Sequence, residues 1–183
     1  MIAPTAGAML IADPFLKDPN FLRTVIFLCD HNEKGSFGFV LNRQYENTLD
    51  ELIPELEGFR FPVYYGGPVQ QDTIHFLHQY PEEIPGGQEV AKGVYWGGQF
   101  DLLVDKMKEK KIEEKKVRFY LGYAGWGAGQ LATEMQEKTW LTLMAKKHLI
   151  FHSDYTAIWK EAILHMGDAY KLMVNFPLDP QYN

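Results

Sequence analysis

The chain is poor in sulfur and hydroxyl chemistry, with one cysteine and two serines among 183 residues. A lone Cys29 cannot form an intramolecular disulfide. Its place after Val25-Ile26-Phe27-Leu28 reads as a buried, inert thiol rather than a nucleophile. Ser36 falls in a predicted hairpin loop and Ser153 at a predicted helix cap. No G-x-S-x-G elbow surrounds either, so a serine-hydrolase triad has no foothold. Zinc patterns such as H-E-x-x-H are missing too. His75 and His78 are three apart in a predicted strand and point to opposite faces, so no metal and no cofactor is expected. No apolar run approaches the roughly 20 residues of a membrane span. No Lys or Arg precedes Lys17, which argues against a signal or transit peptide. The expected location is cytoplasmic, without a membrane partner.

What is present suffices for a packed fold. Apolar residues make up 46% and aromatics 14% of the chain, and no repeat or linker divides it, so one domain over 1–183 is expected. The net charge of −6 hides an asymmetry: residues 106–118 carry a local +4, which leaves −10 elsewhere. Acidic residues interleave with these lysines and no aromatic stands among them. The stretch therefore reads as a solvated helix end and turn, and direct DNA binding is not expected.

Periodicity sets the elements. Gly7 to Ala12, Thr24 to Cys29 and Phe37 to Leu41 read as strands, the last two forming a hairpin across a six-residue loop, Asp30 to Gly35. Thr48 to Glu51 reads as a capping box opening a short helix that Pro54 interrupts. Further strands are expected at Val63–Tyr65, Thr73–His78, Val94–Trp96, Val117–Tyr123, Trp140–Met144 and Leu149–His152. Helices are expected over 99–111, over about three turns from Ala128, and after a Ser153 cap with Trp159, Ala162 and Ile163 inward. The segment Asp168–Val174 is a candidate for another short helix. Strands and helices mix without regular βαβ alternation, which predicts an α+β fold.

The densest constellation is Gly122-Tyr123-Ala124-Gly125-Trp126-Gly127-Ala128-Gly129-Gln130-Leu131. Glycines between a strand and a helix serve either close backbone packing or a ligand-binding loop. The spacing matches neither G-x-G-x-x-G nor a Walker loop. Gln130 and Glu134 lie one helical turn apart on one side. Tyr123, Trp126, Gln130 and Glu134 are therefore the candidate ligand- or partner-binding residues, expected to line one concave surface with Asn42, Arg43 or His78 contributed by neighbouring strands. The competing reading makes Trp126 core and Glu134 a clasp pairing with Arg43 or Arg23.

These landmarks, taken in order, resemble the YqgE/AlgH family. The matching pieces are Gly7-x3-Ile11-Ala12-x-Pro14, Phe21-x-Arg23-Thr24-Val25-Ile26, Gly38-x-Val40-Leu41-Asn42-Arg43, Gly66-Gly67-Pro68-Val69 and Gly122 to Trp126 with Gly129-Gln130-Leu131-x-x-Glu134. The resemblance covers nearly the whole chain. It departs at Gln44, where the family commonly has Pro, and at Ala132, where it commonly has Glu. The second departure removes a carboxylate from the candidate site. The resemblance implies a mixed α+β domain whose bifurcated β-sheet folds into a partial barrel with flanking helices. It also brings a transcriptional-regulator label, which is not a mechanism. Two functional readings follow: a non-enzymatic binding or regulatory module for a protein or small-molecule partner, or an enzyme using Glu134 or a histidine (His31 or His78) as acid/base.

Overall fold

A computed structural model describes residues 1–177. The strands are β1 (Ala8–Ala12), β2 (Val25–Asn32), β3 (Gly35–Val40), β4 (Gln44–Thr48), β5 (Pro62–Tyr65), β6 (Val69–His78), β7 (Gln88–Ala91), β8 (Val94–Trp96), β9 (Val117–Gly127) and β10 (Trp140–Met144). The helices are α1 (Leu49–Leu52), α2 (Phe100–Lys108), α3 (Gln130–Gln136), α4 (Lys147–Ile150) and α5 (Ile158–Leu164). The strands form one curled, largely antiparallel sheet in the order β10-β1-β2-β3-β9-β6-β8-β7, and the β4–β5 pair branches from β9. The fold is mixed α+β, a half-barrel with flanking helices, as expected.

The apolar run of β2 explains the centre. Val25, Phe27 and Cys29 pack toward one cluster with Met9, Ile11, Phe39, Tyr120 and Trp159. Ile26 and Leu28 pack toward another with Leu10, Trp126 and Trp140. A strand buried on both faces needs a continuous apolar run rather than alternation. Burial also pushes the Cys29 thiol up, which suits an inert group. A third cluster gathers Val63, Phe76, Phe119 and Leu121 under α2. There Leu103, Val104 and Met107 form the buried stripe that helical spacing predicts.

β9 joins all three clusters, and Gly122 makes that possible. Before it, Phe119 and Leu121 face the α2 cluster while Tyr120 faces the β2 cluster. Gly122 takes φ 72, a left-handed conformation that costs glycine little. After it the alternation is displaced: Tyr123 packs on the β2 cluster, and Ala124 and Trp126 on the α3 side.

Several local expectations are corrected. Asp30 to Gly35 is not a six-residue loop, because β2 and β3 stay paired through Asn32↔Gly35 past a bulge between Leu28 and Asp30. Polar residues continue the ladder there because that ribbon stands in solvent. The glycine segment is strand as far as Gly127 rather than a bend after Tyr123. α3 spans seven residues, about two turns, not three. It opens at Gly129 (φ 74) and closes where Lys138 turns left-handed (φ 60) and the Thr139 N–H returns to the Glu134 carbonyl at 3.0 Å. Leu149–His152 is not extended: Lys147–Ile150 is helical, a choice that short buried apolar runs leave open. Asp154, not Ser153, caps the turn before α5, its carboxylate accepting the Thr156 N–H at 3.0 Å. The Thr48 box does not close, since Thr48 Oγ1 donates to Asp50 and Glu51 accepts from Asn47. Near Asp168–Val174 the chain makes two 3₁₀ turns, Asp168–Tyr170 and Met173–Asn175.

Four lysines of the basic stretch are paired locally, though its net charge stays positive. Glu109 pairs with Lys106 (3.5 Å) and Lys111 (2.9 Å), and Glu113 with Lys115 and Lys116 (both 3.7 Å). Arg118 turns inward, donating to the carbonyls of Glu114, Val117, Phe151 and His152 and stitching β9 to the chain after α4.

Candidate functional site

The structure does not gather the predicted residues on one surface. Strand alternation places Tyr123 on the face opposite Trp126. Trp126 is 6% exposed, and its indole N–H donates to Glu134 Oε2 at 2.5 Å. The same oxygen accepts the Trp140 indole N–H at 3.2 Å. Glu134 therefore clasps two core tryptophans, and neither Arg43 nor Arg23 is its partner. Gln130 Oε1 accepts the Gly127 N–H at 3.0 Å, fastening the strand end to the start of α3.

Asn42, Arg43 and His78 are also engaged. The Asn42 amide accepts from Val25 N–H (3.0 Å) and donates to the Arg23 carbonyl (2.8 Å). Arg43 donates to the carbonyls of Pro19 and Leu22. His78 is fully buried, Nε2–H donating to the Gly97 carbonyl at 2.7 Å and Nδ1 accepting the Tyr80 N–H at 3.1 Å. A carbonyl only accepts, so this tautomer is fixed and the ring is neutral. Burial holds its pKa below the ordinary 6.5, against smaller raising effects of the Gly97 bond and Glu83.

A pH dependence follows. The unfolded chain protonates this histidine first, so stability is level above about pH 6.5 and declines as pH falls below it. Burial shifts His75 in the same direction. Urea midpoints at about pH 7.5 and about pH 5.5 should show the decline, and His78→Gln should reduce the difference between them. An equal difference in the variant would remove His78 from the account.

The open site lies on the other face of β9. A cleft of about 610 Å³ is lined by Phe37, His75, Trp96 and Tyr123, with Asp30, Asn32, Lys34 and Ser36 from the β2–β3 ribbon at its rim. The four rings are half-buried. Phe37 meets Trp96 edge-on at 4.8 Å and Tyr123 at 5.8 Å, and His75 lies 6.0 Å from Tyr123 and 6.3 Å from Trp96. His75 Nε2 is buried without a hydrogen-bond partner, and burial holds this imidazole pKa low as well. The floor is Gly125, opposite Phe37 in the β3–β9 ladder. A smaller hollow of about 350 Å³ on the reverse side of the ribbon holds His31 and Ser36, whose Nδ1 and Oγ are 2.6 Å apart.

Of the predicted site residues the main cleft uses Tyr123 and the edge of Trp126. Sequence reasoning missed Phe37, His75 and Trp96. Each looks like an ordinary strand residue, and only the displaced alternation after Gly122 brings them around Tyr123. The one available signal was the run of glycines interleaved with Tyr123 and Trp126.

The fold recurs in other proteins. The structure superposes on the solution structure of the AlgH protein from Pseudomonas aeruginosa with TM-score 0.74 and 30% identity, covering 97% of each chain. A crystal structure from Corynebacterium diphtheriae shares the fold at TM-score 0.80 and 22% identity, covering 96% of this chain and 94% of that one. Among relatives, a UPF0301 protein of Chlorobium limicola is 41% identical over 97% of this chain and 95% of its own length. One of Bacteroides thetaiotaomicron is 36% identical over 100% of this chain and 93% of its own. A sequence model described as AlgH-like matches residues 9–171, which takes in the β1 edge, the Gly67–Gly122 region and every ring of the cleft, so the chain belongs to the AlgH-like family.

Proposed function

We propose that the chain is a non-enzymatic, cytoplasmic binding or regulatory module whose aromatic cleft receives a small ligand or a partner's side chain. The observation that carries this is the cavity of about 610 Å³ walled by Phe37, His75, Trp96 and Tyr123, with further polar groups supplied by the β2–β3 ribbon. An apolar concavity with a few convergent polar groups is the usual composition of a ligand site. The enzyme alternative loses two of its three named groups to structural duty: Glu134 accepts two indole N–H groups, and both His78 nitrogens serve the backbone. The His31–Ser36 pair is what favours that alternative. Direct DNA binding gains little from the lysine-rich stretch, where Lys106, Lys111, Lys115 and Lys116 pair with Glu109 and Glu113 and Arg118 turns inward.

Indole serves as the probe. Saturation-transfer NMR should show indole bound to the native protein, with Trp96→Ala and Phe37→Ala each weakening it by about tenfold or less. Thermal melts would confirm that both variants fold. Equal binding by native protein and variants, or none by either, would end this reading.

A further inference from the structure

Besides rings, the cleft contains an uncovered strand edge. β6 pairs with β9 only as far as Val69↔Tyr123, and the chain before Val69 crosses over β9 at Gly66 and Gly67. From Ala124 to Gly127, β9 pairs with β3 on one side, and among the described residues no strand covers the other. The Gly127 N–H shows which groups face that side, because it turns to Gln130 Oε1 instead of β3. Peptide groups on an antiparallel strand alternate with a period of two, so the Gly125 N–H and C=O point the same way. Gly125 is exposed and lies in the cleft floor. An added Cβ would stand 3.3 Å from Tyr123 Cε2, so the missing side chain keeps that ring close to the free edge.

We infer that the cleft takes a planar heterocycle of nucleobase type, its adjacent acceptor and donor pairing with the Gly125 N–H and C=O and one face resting against the wall formed by Phe37, Trp96 and Tyr123. This rests on the reading of the cleft as a binding site. A donor and an acceptor on one residue, parallel and beside an aromatic wall, match a lactam or amidine edge in both hydrogen bonding and flatness. Charge narrows the class further. Asp30 and Lys34 oppose each other at the rim, and burial disfavours a charged His75, so the cleft carries no net charge to hold a phosphate. The ligand is a free base or nucleoside rather than a nucleotide.

The experiment titrates the full chain, labelled for amide NMR, with guanosine and adenosine. Each is compared with its analogue methylated on the donor nitrogen (N1-methylguanosine and N6,N6-dimethyladenosine). The expected result is that at least one nucleoside shifts the Gly125 amide and the Trp96 indole resonance. Its methylated analogue then binds about tenfold more weakly, and Trp96→Ala abolishes the shift. Equal affinity for nucleoside and analogue, or an unmoved Gly125 amide, overturns the inference. If indole still binds in that case, the cleft reading stands and only the ligand class falls. If a short extended peptide moves Gly125 while neither nucleoside does, the edge takes a strand and the inference is wrong. If indole also fails, both fall.

Discussion

Replacing Gly67 with alanine should destabilise the protein by on the order of 4 kcal/mol or more, placing it among the rare severe single substitutions. A Cβ there would stand 2.1 Å from the Tyr123 carbonyl carbon, 2.2 Å from its oxygen and 2.3 Å from Ala124 N. All three are backbone atoms, so no rotamer change relieves the clash. Gly67 also takes φ 154, which side-chain-bearing residues avoid. The crossover would have to lift from β9, carrying Val69 and the β6 register with it. Urea unfolding is the measurement, and a loss under about 1 kcal/mol would mean the crossing is looser than described. Gly58→Ala, where nothing lies within 4 Å, serves as the control for left-handed backbone strain alone.

Glu134→Ala should cost about 3 to 5 kcal/mol, because it strands two indole N–H donors at once. Trp126 is 6% and Trp140 1% exposed, so water does not readily replace the lost acceptor. Glu134→Gln should cost less, about 1 to 2 kcal/mol, since its amide oxygen still accepts while the charge is lost. The ordering Ala worse than Gln worse than native, read from urea midpoints, is the test. Equal losses for Ala and Gln would show that charge, not acceptor geometry, holds the tryptophans.

How far the sequence reaches can be judged from particular residues. The run Val25 to Cys29 announced a strand buried on both sides, and the stripe Leu103, Val104 and Met107 announced α2. Both signals are local periodicities imposed by burial. The site was only half legible. The glycines from Gly122 onward marked the right stretch, but the reading placed Tyr123 and Trp126 together because it treated them as a bend. In a strand, residues three apart point to opposite faces. The left-handed turn at Gly122 that reassigns those faces leaves no trace in hydrophobic pattern. Nor could the pattern say that Trp96 and His75, distant in sequence, line one cleft with Phe37. The clasp was anticipated in kind, with Glu134 fastening helix to sheet, but its partners are indoles rather than guanidinium groups.

The pairing of β1 with β10 constrains how the molecule can be made. Residues 8–12 meet residues 140–144, from Ala8↔Met144 to Ala12↔Trp140, so a strand synthesised near the start waits for one near the end. At roughly 5 to 20 residues per second, the edge of β1 stays unpaired for about 6 to 26 seconds after it is translated. During that interval Met9, Leu10 and Ile11 present an apolar strand with open backbone groups, the state most prone to join another chain. Closure of so long a loop also places folding in the slow, non-local regime typical of β-rich domains. Shielding of this edge while the chain is still on the ribosome is therefore expected to raise the fraction that folds.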